Sequence, residues 1–199
     1  MNKKIKNPKQ VAVAILCFII ALFSMNVSAQ KTYHLASPDG KLRTTISVGD
    51  QITYTLSHGT TGILNASPVS MTLESGEVLG KSPKGVKIKL SGVNRTVPSP
   101  FYKKSEVTEN YNELALTFNG NYGLIFRAYN EGLAYRFVTS RKSDLIIAEE
   151  EFTLNFQKDF MTYAAYSVNG EGSFENINKM RNFIDVNKLI NIYFLAQFL

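Results

Sequence analysis

The sequence predicts an all-β protein, an antiparallel β-sandwich, and three features carry that prediction. β-Branched and aromatic residues alternate with polar ones in short segments, glycine- and asparagine-containing turns separate them, and no long stretch before the C-terminal end places apolar residues at helical spacing. The alternating segments run from Leu42 to Val48, Ile52 to Ser57, Val69 to Glu74, Val86 to Leu90, Ser105 to Thr108, Glu113 to Phe118, Leu124 to Tyr129, Leu133 to Thr139, Leu145 to Phe156 and Met161 to Val168. Gly49-Asp50, His58-Gly59, Glu74-Ser75-Gly76, Ser91-Gly92 and Asn119-Gly120-Asn121 punctuate them as turns. No internal repeat or low-complexity linker divides the chain, so a single β-domain is expected.

Residues 1–29 are expected to be a secretory signal peptide. Lys3, Lys4, Lys6 and Lys9 precede an apolar run from Val11 to Met25, and Val27-Ser28-Ala29 supplies the small residues of a cleavage site before Gln30. The run is short for a bilayer span, so no membrane segment is expected after cleavage. The only cysteine, Cys17, lies inside that run, which leaves the exported chain without disulfides. The leader's four lysines, with no acid among them, reduce the formal net charge from +6 to +2, so the composition gives no reason to expect a nucleic-acid partner. A periplasmic location is expected, with an outer-membrane or secreted destination as the alternatives.

Phe126 to Phe137 reads as a β-hairpin turning through Asn130-Glu131-Gly132, with Gly132 free to take a positive φ. That turn would set Tyr129 opposite Leu133 and Arg127 beside Tyr135. One face would then hold Ile125, Arg127, Tyr129, Leu133, Tyr135 and Phe137, and the other Leu124, Phe126, Ala128, Ala134, Arg136 and Val138. Both faces read as dry, and an unpaired arginine in such surroundings costs several kcal/mol. Arg127 and Arg136 are therefore expected to find carboxylates, with Glu149-Glu150-Glu151 as the supply. A structural ion pair inside a sandwich is the plain interpretation of that arrangement.

The run RAYNEGLAYRF, taken with Tyr111-Asn112-Glu113-Leu114 upstream and Ser173-Phe174-Glu175-Asn176 downstream, resembles the N-terminal β-sandwich domain of glycoside hydrolase family 97. Ser37-Pro38-Asp39-Gly40-Lys41-Leu42 fits the first strand of that domain, and the resemblance runs from Tyr33 to about Asn176. It implies a galactose-mutarotase-like supersandwich over residues 30–178. It also implies an origin in bacterial α-glucosidases and α-galactosidases that are often calcium-dependent and act on α-linked oligosaccharides. In that family the acid and base come from a (β/α)8 barrel, which this sequence does not contain. Residues 179–199 change character, with Phe183, Val186, Ile190 and Phe194 at helical spacing. They are expected to be a divergent, short helical tail, the product of a truncation or frameshift or else a docking helix native to a stand-alone domain.

The resemblance carries a calcium-ligand role to Glu175, because a hard cation takes carboxylate oxygen, and more weakly to Asn130, whose amide oxygen could also ligate. No catalytic residue is expected. His34 and His58 are too far apart to suggest a metal site, and consecutive glutamates at 149–151 would alternate between faces instead of forming a catalytic pair. Tyr111, Tyr122, Tyr129, Tyr163 and Tyr166, with Phe101-Tyr102, are read as core or interface residues before sugar platforms. The expected function is that of a non-catalytic domain that shapes the carbohydrate site of a complete α-glycosidase, inactive and without a cofactor on its own. The rival expectations are an exported carbohydrate-binding module that works alone and an exported structural β-sandwich.

Overall fold

A computed structural model describes residues 30–99 and 104–159 in full, together with the backbone of Met161–Ala164 and Lys179–Asn182. The described residues form strands and no helix. The first sheet starts as a meander of β1 (Lys31–Ala36), β2 (Leu42–Val48), β3 (Ile52–His58) and β4 (Thr61–Leu73), with the two-residue β5 (Val78–Leu79) folded back on β4. The chain then crosses to a second meander, β6 (Lys87–Pro98), β7 (Glu106–Phe118), β8 (Tyr122–Tyr129) and β9 (Leu133–Thr139). It returns to the first sheet as β10 (Ile147–Phe152), antiparallel to β4. Strands β11 (Met161–Ala164) and β12 (Lys179–Asn182) pair only with each other.

Alternation in the sequence becomes alternation in burial. Leu42, Thr44, Ile46 and Val48 of β2 face inward, as do Leu124, Phe126 and Ala128 of β8. Strand β1 lies across from β7 and β2 across from β8, so the two sheets close on one core. Tyr54 of β3 meets Phe126 of β8 and Tyr135 of β9, with ring centroids 5.8 and 6.1 Å apart. Burying each such large apolar side chain stabilises the fold by roughly 1.5–3 kcal/mol.

Several expectations change. The expected strands Ser105–Thr108 and Glu113–Phe118 merge, from Glu106 on, into one strand, β7, because the residues between them pair along β6 and do not turn. Ser91-Gly92 is likewise no turn. It pairs with Glu113 and Asn112 in mid-strand, where a Cβ on Gly92 would stand 3.0 Å from the Asn112 amide oxygen. Ser37–Lys41 is the turn between β1 and β2 and not a first strand. Asn119-Gly120-Asn121 does turn, with φ of +93° at Gly120 and +59° at Asn121, conformations that glycine and asparagine adopt at least cost. At the chain's end, Lys179–Asn182 is extended, while 1–29 and 183–199 lie outside the described residues.

The hairpin at 126–137 exists with a register one residue away from the expected one. Its loop is Asn130-Glu131 alone: Tyr129 donates its N–H to the Gly132 carbonyl at 2.8 Å, and Ala128 pairs with Leu133. Gly132 is not among the positive-φ residues. A shift of one residue exchanges the faces of an entire strand. Leu133, Tyr135 and Phe137 therefore join Leu124, Phe126 and Ala128 inside, and Arg127 and Arg136 share the outer face.

Candidate functional site

Three of the sequence motifs converge on one corner of the sandwich. The β1–β2 turn is built by Ser37, whose hydroxyl donates to the Asp39 carboxylate at 2.6 Å and accepts the Leu42 N–H at 3.0 Å. Asp39 also accepts the Lys41 N–H at 3.0 Å. These hydrogen bonds, that from the Ser37 hydroxyl first, hold the Asp39 carboxyl below the usual aspartate range. Two asparagines from the second sheet tie this turn down. Asn112 donates its side-chain N–H to the Ala36 carbonyl at 2.9 Å, and the Asn130 amide oxygen accepts the Asp39 N–H at 3.1 Å.

Beside this corner, the register set by the 119–121 turn places Glu113 opposite Arg127. The Arg127 Nε donates to Glu113 Oε2 at 2.7 Å, with side chains 25% and 18% exposed, so water screens the pair only in part. The guanidinium lies 4.4 Å from the centre of the Tyr111 ring, a cation–π contact that helps bury Tyr111 on the outer face of the sheet. Tyr129 packs against Tyr111 at 5.0 Å between centroids, and Tyr122 is buried against Phe118.

The expected partnership of the arginines with Glu149-Glu150-Glu151 does not form. Arg127 uses Glu113, and Arg136, on edge strand β9, is exposed and joins none of the ion pairs among the described residues. Two of the three glutamates serve other groups. Glu150 accepts the Tyr135 hydroxyl at 3.0 Å, Glu151 accepts the Ser70 hydroxyl at 2.8 Å, and Glu149 is exposed. Burial and the neighbouring Glu150 carboxylate both push the Tyr135 hydroxyl well above the ordinary tyrosine range.

As metal ligands, Asn130 and Glu175 are differently placed. Glu175 lies outside the described residues. The Asn130 amide oxygen already serves the Asp39 N–H, which leaves it one lone pair. The described residues hold no group of three or more histidine, cysteine or acidic side chains able to enclose an ion. His34 Nδ1 is 3.1 Å from the Thr45 hydroxyl and His58 sits at the exposed end of β3. Of the two expected ligands the described residues include Asn130 alone, through an amide oxygen already partly engaged, where calcium takes six to eight oxygens. Sequence reasoning missed Glu113 as the arginine's partner, Asn112 as the anchor of β1, and Asp39 as the centre of the turn. The turn at 119–121 fixes which residues of β7 and β8 face each other, and was the available signal for the first.

A two-sheet antiparallel sandwich whose corner is assembled from these motifs can be compared with known proteins. The family model for the glycosyl-hydrolase 97 N-terminal domain matches residues 35–191. The chain belongs to this family. The match extends to 191, past the change of sequence character at 179. A retaining alpha-galactosidase of Bacteroides thetaiotaomicron is 37% identical over 184 residues, which cover 91% of this family 97 chain and 27% of that enzyme. A glycoside hydrolase family 97 enzyme from a Pseudoalteromonas species, solved in complex with panose, superposes with a TM-score of 0.61 at 21% identity, over 74% of this chain and 24% of that one. A beta-arabinopyranosidase superposes at 0.59 with 19% identity, over 74% of this chain and 26% of its own. At such identities the two structures speak for the fold. The chain thus spans about a quarter of the relatives it matches.

Proposed function

We propose that this chain is the non-catalytic N-terminal domain of a calcium-dependent, periplasmic α-glycosidase and that it shapes the carbohydrate site of the complete enzyme. The observation that carries this reading is the pairing of a family match over 35–191 with coverage of only 27% of a retaining alpha-galactosidase. Glycoside hydrolysis needs two carboxyls fixed on either side of one glycosidic bond. The carboxylates of the described corner are spent instead on turn building, at Asp39, and on holding Arg127, at Glu113. Panose in a solved relative supports a carbohydrate ligand for the complete enzyme. Calcium would be held by Glu175 and Asn130 with further oxygens from the rest of that enzyme, and it would supply a fixed positive charge at the sugar site. The signal-like leader supports export.

The test is hydrolysis of nitrophenyl α-galactoside and α-glucoside by purified residues 30–199, with calorimetric titration of calcium. Neither turnover nor stoichiometric calcium binding is expected. Turnover that Glu175→Gln abolishes would place an active site in this domain and overturn the reading.

A further inference from the structure

Among the described residues, strand β6 is the edge of the second sheet with no strand paired on its outer side, and it overhangs the sandwich. Because β1, the outermost described strand of the first sheet, lies across from β7, no described strand of that sheet packs substantially over β6. The overhang is visible in its side chains. Ile88 and Leu90 pair with Leu116 and Leu114, which are 1% exposed, so both point to the core-facing side of the sheet, yet they are 51% and 61% exposed. A shallow depression of about 370 Å3, lined by His34, Leu35, Ala36, Leu90, Ser91 and Asn112, runs between β1 and β6. On the opposite side of β6, Lys87 and Lys89 are exposed and join none of the ion pairs among the described residues. A strand edge with free backbone groups, apolar residues on one side and unneutralised cations on the other is a template for one more strand.

We infer that the β6 edge binds an extended strand of a partner polypeptide, apolar on the side that covers Ile88 and Leu90 and acidic on the side that meets Lys87 and Lys89. A second copy of this chain fits poorly. β6 contains no acidic residue, so a β6–β6 ladder supplies no carboxylate to Lys87 or Lys89 in any register, and the antiparallel registers that set Ile88 against Leu90 or against itself put lysine opposite lysine. The described C-terminal strands β11 and β12 are paired with each other. The added strand would continue the ladder beyond β6, and its apolar residues would reach over the depression beside Leu90. Lys87 and Lys89 set the sign of the partner, and Ile88 and Leu90 supply the apolar contact.

The test is fluorescence anisotropy of a labelled peptide of about ten residues alternating valine and glutamate, titrated with purified residues 30–199, beside its valine–lysine counterpart. The glutamate peptide is expected to bind at least about tenfold more tightly than the lysine peptide. Lys87→Glu with Lys89→Glu should invert that preference, and Leu90→Lys should abolish binding of both. Ile88→Thr with Leu90→Thr, which keeps the strand's β-propensity, should weaken binding without shifting the thermal midpoint. Absence of binding, equal binding of the two peptides, or binding unaffected by Leu90→Lys would overturn the inference. A dimer in sedimentation that Leu90→Lys dissolves would overturn it too, by assigning the edge to a second copy.

Discussion

Arg127 and Arg136 lie on the same face of the same sheet, on adjacent strands of one hairpin, and their circumstances are opposite. Arg127 is on β8, a central strand, with β7 on one side supplying Glu113 and the Tyr111 ring and β9 on the other. Arg136 is on β9, the edge, and faces water. The difference teaches that in a sandwich an arginine's partner is set by strand position and register. The nearest acidic run in sequence does not decide it. A carboxylate on the other sheet cannot compete with one directly across the ladder.

The comparison can be calibrated from the inner face of β8, where the largest effect is expected. Phe126 is fully buried and touches Tyr54 and Tyr135, so Phe126→Ala should lower unfolding stability by about 3–5 kcal/mol in denaturant titration. A loss below about 1 kcal/mol would mean that Phe126 does not sit in the core between the two sheets. A smaller effect, confined to alkaline solution, belongs to Tyr54, whose hydroxyl burial pushes up to about 12. The folded state then holds its proton longer than the unfolded chain does. The stabilisation is complete below the ordinary tyrosine range near pH 10 and is lost as pH rises toward about 12. Denaturant midpoints between those limits should fall for the native sequence and fall less for Tyr54→Phe.

The sharpest test of the two arginines is a matched set of substitutions. Glu113→Ala leaves a half-buried guanidinium without its carboxylate and should cost about 1–3 kcal/mol, more than Arg127→Met, which removes the charge as well. Arg136→Met and Glu149→Gln should each stay within about 0.5 kcal/mol, as exposed surface changes do. If Arg136→Met cost as much as Glu113→Ala, the contrast between centre and edge would fail.

Much of the fold was legible because alternation and turn chemistry are local. β2 and β9 match their expected bounds, and the turns at 49–50, 58–59, 74–76 and 119–121 punctuate as expected. What failed was decided by neighbours that the local sequence does not contain. Ser91-Gly92 has turn composition but is held extended by twelve residues of β7 pairing alongside. Gly132 suggested a three-residue loop, yet a two-residue loop satisfies the hairpin, and that one residue moved Tyr135 inside and sent Arg136 out. For the candidate site, the motifs were visible as strings. Their meeting at one corner depends on how two sheets stack, which period and spacing do not encode.

The corner also governs when the domain can finish folding. The Ser37–Leu42 turn is fastened by Asn112 and Asn130, the latter bond reaching across 91 residues of sequence. Local hairpins form within microseconds, but a loop of that length must be closed before this bond returns any energy. A chain emerging from its N-terminus therefore makes β1 and β2 early and leaves them undocked until the 129–132 turn has been synthesised. Throughout that interval the inner face of β2 stays open, and whatever threads, chaperones or degrades unfolded chains has access to it.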